Sequence, residues 1–470
     1  MALKILDGSA QSRSENRHTI RLYVCGPSLV HIPHLGDARL HVVVDTIVRH
    51  LRFRGYTVQY ILAYRDARAL LEVARNNLGD QENPERTCPE EQVEANIRSF
   101  QDAMDALGNV RPGFAPRSTA HIQDIIAWIS RLLEEDLAYE KDGHLYFDQR
   151  RAGQLTMGDI GSGQPPSANS DPLLWEHIEV SSPPPLPSPW GPGFPGPHVA
   201  CPVLANRYLG PTFDILACCV TDISHYQSDL AQAQALNGVA LARRRFLVAP
   251  LTVRGQPMSH ALGNYLTIQD ALRLYSPEAI RYFILSHPYQ EALEFSREAM
   301  LAAQHAVDEL HQVVRQLRWR LEDMLSQRHG DTAPLVSLNP LEEMRQAFLG
   351  AMDEGFNTPE ALSILAEAVH QTKDLLEESH TNKKTLAQLS ALDRFYRDLA
   401  ARILAILPEE LTATDEGRLI DGLMDIVVAQ YAEYLKHKDW QRADVLRSRL
   451  AALGVGIEES SRGFTWHLKP

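Results

Sequence analysis

Leu22-Tyr23-Val24-Cys25 is followed by Gly26-Pro27, then by Leu40-His41-Val42-Val43-Val44-Asp45-Thr46-Ile47-Val48-Arg49-His50-Leu51 and Thr57-Val58-Gln59-Tyr60-Ile61-Leu62. The first run is short, apolar and stopped by a Gly-Pro breaker, as a buried strand is. The second has the apolar spacing of a helix, and the third is rich in β-branched and aromatic residues, as strands are. Strand, helix, strand at this spacing makes a βαβ unit and predicts an α/β domain built on a parallel sheet.

The remainder extends that frame. Residues 88–140 read as a helical insertion, with Ser118 or Thr119 capping a helix after Pro116, and His144-Leu145-Tyr146-Phe147-Asp148 as a strand. Residues 181–197 are so proline-rich that a stiff, irregular surface loop is expected. Helical periodicity dominates from Ser276, over 278–286, 299–325 and 341–407, with a linker at 330–337. A further helical piece over 417–454 ends in a small hairpin. The expected units are therefore 1–290, a connector 291–336, a helical domain 337–410 and a small C-terminal domain 411–470, within 470 residues.

No apolar run is long enough to span a membrane. Residues 1–8 lack a secretory core, so the cytoplasm is the expected location. Five cysteines, Cys25, Cys88, Cys201, Cys218 and Cys219, are too scattered for a disulfide framework; Cys88 reads as an incidental thiol in a polar loop. A net charge of −14 argues against non-specific nucleic-acid binding but leaves room for a local basic face. Arg243-Arg244-Arg245 and Arg315, Arg318 and Arg320 are the candidates. The plainer readings are a charged loop before the strand Phe246-Leu247-Val248 and a solvated helix face.

Pro257-Met258-Ser259-His260-Ala261-Leu262-Gly263-Asn264, with Cys25-Gly26-Pro27-Ser28 and His34-Leu35-Gly36-Asp37, resembles the KMSKS loop and HIGH motif of class I aminoacyl-tRNA synthetases, specifically the cysteinyl-tRNA synthetases. The likeness spans nearly the whole chain. It includes Leu51-Arg52-Phe53-Arg54-Gly55-Tyr56, Ser188-Pro189-Trp190-Gly191, Phe356-Asn357-Thr358-Pro359-Glu360-Ala361 and Leu450-Ala451-Ala452-Leu453-Gly454. It implies a Rossmann-like catalytic domain followed by helical, tRNA-facing domains in a monomer. The implied chemistry is ATP-dependent activation of cysteine, with magnesium, and transfer to tRNA.

Departures cluster in the catalytic half. Pro257 and His260 stand where the family carries lysines. The acidic run after the second strand reads Arg65-Asp66-Ala67-Arg68-Ala69, and a glycine-rich turn has become Leu216-Ala217-Cys218-Cys219-Val220-Thr221-Asp222, whose side chains are expected to intrude on nucleotide space. Proline carries no charge and histidine is mostly neutral at pH 7, so the loop at 257–261 offers little to a pyrophosphate leaving group.

The resemblance implies zinc held by Cys25, Cys201 and His225, with Asp229 in place of a glutamate. His225 and Asp229 are four apart and share a helix face, and zinc takes thiolate, imidazole and carboxylate ligands. Without the resemblance, these are two small core cysteines and a surface His/Asp pair. For ATP, His34, Gly36, Asp37, Met258 and Ser259 are the expected contacts. Asp37 brings either a like-charge conflict with polyphosphate or a carboxylate that favours the helix dipole. The leading expectation is a catalytically impaired relative, a pseudoenzyme that binds tRNA or a protein through its C-terminal half. The alternatives are a working cysteine–tRNA ligase with an atypical site, and a ligase joining cysteine or another acid to a small-molecule amine.

Overall fold

The computed structural model describes residues 18–79, 88–155, 171–179, 183–220, 223–326, 339–377, 383–408, 415–437, 439–452, 455–460 and 463–468. Residues 1–8, the linker at 330–337 and Asp222, on which expectations were placed, lie outside them. No helix among the described residues is long and apolar enough to cross a membrane.

The βαβ unit forms as read: β1 (Thr19–Cys25), α1 (Leu35–Phe53) and β2 (Thr57–Ala63). β1 pairs in parallel with β2 on one side and with the strand Phe213–Cys219 on the other; that strand pairs in parallel with Ala242–Val248. The chain thus leaves β1 in one direction and later returns to its other flank. In open α/β sheets the crevice at the carboxyl ends beside such a reversal is where ligands bind.

Alternation along the strands divides the interior in two. Leu22 and Val24 pack with Val44, Ile47 and Phe283 on one face. Tyr23 and Cys25 point to the other, among Ile129, Trp175 and Cys201. A strand covered on both faces needs apolar residues at successive positions, which is why Leu22–Cys25 of β1 reads as a continuous apolar run.

One helical range and two loops differ from expectation. After α2 (Asp66–Gly79) and α3 (Pro89–Ala106) comes a 3-10 turn, Ser118–His121, leading into the helix Ile122–Glu134. Ser118 and Thr119 do not cap it. Their hydroxyls donate to the Asp66 carboxylate at 2.8 and 2.5 Å, and the Thr119 amide donates at 3.0 Å. A buried carboxylate outcompetes the local amides for those hydroxyls. The insertion also runs beyond residue 140 as an antiparallel sheet, Ala138–Lys141, His144–Phe147, Leu173–His177 and Gly193–Pro195. Its last strand falls within the proline-rich 181–197, and Gly193, Phe194 and Pro195 are all buried. The proline sits on an edge strand, where a missing amide donor is tolerated.

The arginines expected in a loop at 243–245 lie within the strand Ala242–Val248, with Arg243 and Arg245 exposed. Arg243 approaches Asp214 at 3.8 Å, Arg318 donates to Asp393 at 2.8 Å and Arg320 is 3.9 Å from Asp323.

The helical half comprises Arg297–Ser326, Asn339–Asp353, Thr358–Glu377 and Lys383–Tyr396, continued by a π-helical stretch Arg397–Ile403. The Asn357 side chain accepts from the Glu360 amide at 3.3 Å, the cap expected before Pro359. A final unit, Asp415–Lys436 and Trp440–Ala452, closes with the antiparallel hairpin Val455–Ser460 and Gly463–Leu468.

α1 joins the two halves. Arg281 is 1% exposed and Asp45 2%. Arg281 Nη2 donates to Asp45 Oδ2 at 2.6 Å, while its guanidinium also reaches the carbonyls of Leu404 and Leu107 and the Asn109 side chain. At the end of α1, His50 Nε2 lies 2.8 Å from Asp353 Oδ1, and Arg54 pairs with the same carboxylate.

Candidate active site

The His34–Asp37 motif and the 257–264 loop meet at the start of α1. Leu35 N donates to Leu266 O at 3.0 Å, and His34 bridges to Thr267. A Cβ added at Gly36 would sit 2.8 Å from the His34 ring and 3.5 Å from Met258 Cβ, so the glycine permits the close approach.

His34 is the N-cap of α1. Its Nδ1 accepts from the Asp37 amide at 3.3 Å, and Asp37 Oδ2 accepts from the His34 amide at 2.9 Å, a reciprocal capping box. Asp37 is therefore turned back on the backbone at the positive end of the helix, the second of its two readings. Burial lowers the His34 pKa, against the opposing pull of Asp37. With Nδ1 accepting, a neutral His34 carries its proton on Nε2.

The loop keeps its shape through backbone and side-chain bonds. Asn264 accepts from the Ser259 amide at 2.9 Å and donates to Pro257 O at 3.1 Å; Met258 N reaches Leu251 O at 2.8 Å. Gly263 has φ +62°, a conformation costly for other residues. Charge is what is lacking. His260 Nε2 donates to Ile32 O at 2.8 Å. Its ring stacks on His31 at 4.5 Å and tilts against His34 at 5.2 Å and Tyr265 at 4.0 Å. Burial, then His260, lowers the His31 pKa.

Of the arginines around the loop, Arg39 and Arg68 are committed elsewhere, whereas Arg254, three residues before Pro257, is exposed. Arg39 is 1% exposed and donates to the carbonyls of Pro250, Pro288 and Glu291. Arg68 pairs with Glu72 and Glu176. Arg243–Arg245 lie three to five residues before the carboxyl end of their strand, about 10–17 Å away along it. Asp66, the one acid retained after β2, is used by Ser118 and Thr119.

The altered turn also differs from expectation. Ala217 and Cys218 are fully buried on opposite faces of the sheet, and only Cys219 is partly exposed. The first two therefore fill core rather than nucleotide space.

The thiol pair is assembled. Cys25, at the carboxyl end of β1, and Cys201, in the helix Ala200–Leu209, place their sulfurs 2.8 Å apart, both buried. Tyr23 lies two residues before Cys25 and hence on the same strand face. Burial, then the two cysteines and Asp229, push its hydroxyl pKa well up. The Cys25 hydrogen bond, followed by burial, raises that of Cys201. Asp229 is 5% exposed on the helix Ile223–Asn237. The His225 side chain lies outside the described residues, and among those described no three metal-binding groups come together. Two adjacent sulfurs with a buried carboxylate in the same electrostatic cluster are nevertheless donors that suit zinc. Sequence reading missed Tyr23 and His31; the i,i+2 spacing from Cys25 was the available signal for the first.

The family described as tRNA synthetases class I (C) catalytic domain matches residues 11–305, and the DALR domain family matches 347–407. The chain is 31% identical to the cysteine–tRNA ligase of Moorella thermoacetica, over 95% of each protein. The chain belongs to the cysteine–tRNA ligase family. Its identity to a cysteine–tRNA ligase of Thermus thermophilus is 31% over 96% of this chain and 95% of that one. With that of Deinococcus radiodurans it is 32%, over 95% and 92%. Among solved structures, Mycobacterium tuberculosis methionyl-tRNA synthetase in complex with methionyl-adenylate superposes with a TM-score of 0.62 at 16% identity, covering 84% of this chain and 92% of that one. That likeness is one of fold.

Proposed function

We propose that this family member binds tRNA through its C-terminal half while activating cysteine orders of magnitude more slowly than its relatives. The observation carrying this reading is His260. It occupies a lysine position, and its Nε2 proton is spent on the Ile32 carbonyl. Cysteine activation expels pyrophosphate, and fixed donors aimed at the developing charge are commonly the largest catalytic contribution. His34, through Nε2–H, is one donor left at the start of α1. Cysteine-dependent ATP–pyrophosphate exchange tests the reading.

The thiol pair supports a second reading, a working cysteine–tRNA ligase with imidazoles in place of lysines. Zinc, when bound, would be held by Cys25, Cys201, His225 and Asp229, and would coordinate the thiolate of a cysteine substrate. Tyr23 would then hold its proton beside the sulfurs. Protein purified without chelators from zinc-supplemented medium is expected to carry about one zinc per chain by elemental analysis. Cys25→Ser should remove most of it, and a metal-free native protein would refute the ligand set.

The DALR match at 347–407 and the intact cap at Asn357 support tRNA binding by residues from about 341 onward. In filter-binding titrations, affinity for tRNA should fall steeply with added salt, because phosphate contacts release counterions. A salt-independent interaction, or retention of protein partners with no RNA, would replace tRNA with protein as the occupant of this half.

A further inference from the structure

Away from the thiol pair and the 257–264 loop, a cavity of about 220 Å³ lies between α1, β2, α3 and the segment that follows α3. Leu62, Phe100 and Met104 supply apolar walls, while His41 and Tyr60 reach it from α1 and β2. Those two are 3% and 5% exposed, and among the described residues neither the His41 imidazole nor the Tyr60 hydroxyl has a hydrogen-bond partner. His41 contacts Phe100 edge-on at 4.8 Å, which orients its ring without satisfying its nitrogens. Buried polar groups are ordinarily paired; the polar atoms of these two residues stay open to the cavity and are free to bond what fills it.

The walls define that occupant. An apolar cavity of about 150 Å³ accepts benzene, so this one has room for a ring with one or two substituents. Burial pushes the His41 pKa down to about 3, leaving one ring nitrogen as donor and the other as acceptor at neutral pH. An environment that neutralises an imidazole also penalises a charged ligand. The two charged wall residues, Asp105 and Arg111, pair with each other.

We propose that this cavity binds a neutral single-ring aromatic molecule bearing a hydroxyl or ring nitrogen, held at its polar edge by His41 and Tyr60. The site adjoins the connection between the two halves, because Asn109 accepts from Arg281 at 2.6 Å and the Val110 amide donates to Asp45 at 2.6 Å. Neither the thiol pair nor the loop takes part, so the proposal stands whether or not cysteine is activated.

Phenol is the probe, with toluene as its apolar counterpart and benzoate as the charged one, in ligand-observed NMR titrations and crystal soaks of the full chain. Phenol should appear in the cavity and bind about tenfold more weakly to Tyr60→Phe and to His41→Phe. Toluene should change by no more than about twofold and benzoate should not bind. If His41→Phe does not fold, Tyr60→Phe alone decides. Phenol affinity unchanged in every folded variant, or soaked crystals holding only ordered water in the cavity, would overturn the proposal.

Discussion

Cysteine-dependent ATP–pyrophosphate exchange by the purified chain is expected to run at least about 10⁴-fold below that of a lysine-bearing relative. Loss of one well-placed transition-state donor typically costs a factor of about 10²–10³, and two positions are affected here, Pro257 and His260. The loop itself is intact, since Asn264 still ties Ser259 to Pro257 O and Gly263 still makes the turn. That separates charge from shape and makes the defect reversible. The variant Pro257→Lys/His260→Lys keeps the Pro257 carbonyl that accepts from Asn264, and should raise exchange by at least about 100-fold. Exchange at a relative's rate by the unaltered chain would reject the slow-activation reading in favour of the imidazole-based ligase. A double variant that binds ATP and cysteine yet gains nothing would place the defect outside the loop.

The second large effect concerns stability. Asp45 accepts from Arg281 at 2.6 Å, from Arg49 Nε at 2.8 Å and from the Val110 amide at 2.6 Å, in a site closed to solvent. Asp45→Asn keeps the volume but leaves Arg281 buried without its counter-charge. Removing one member of a buried ion pair typically costs about 3–5 kcal/mol. Urea unfolding of Asp45→Asn should show a correspondingly lowered midpoint, and adding Arg281→Met should recover part of the loss because the stranded charge is gone. A change below about 1 kcal/mol in the single variant would mean that the hub contributes packing rather than charge compensation.

Much of the fold was legible because strand and helix carry different apolar periods. The run at Leu22–Cys25 read as a buried strand and that at Thr57–Leu62 as a second strand, exposed at Thr57 and Gln59, and the stretch between them had helical spacing. The Asn357-Thr358-Pro359 start was readable because a cap and an early proline act within one turn. The same locality explains the failures. Ser118 and Thr119 have the chemistry of caps, but a buried acid 52 residues from Ser118 claims their hydroxyls. Arg243–Arg245 look like a loop by charge, yet pairing with Phe213–Cys219 draws them into a strand with two of the three facing out. Gly193-Phe194-Pro195 look like loop by composition, and an antiparallel partner at Leu173–His177 makes them strand.

At the candidate site, residue types showed that the loop at 257–261 carries no lysine, and the family resemblance supplied the pairing of the cysteines at 25 and 201. Such inventories are complete in the sequence, since a missing lysine is missing in any fold. Tertiary structure decided how the remaining groups are used. It brought the Cys25 and Cys201 sulfurs together, turned Asp37 into a capping partner of His34, and spent the His260 proton on Ile32. It also placed His41 and Tyr60 around one cavity, though nothing in their spacing announces it. Local sequence determines what a side chain can donate or accept; only long-range packing determines which partner lies within about 3 Å, and a hydrogen bond is decided at that distance.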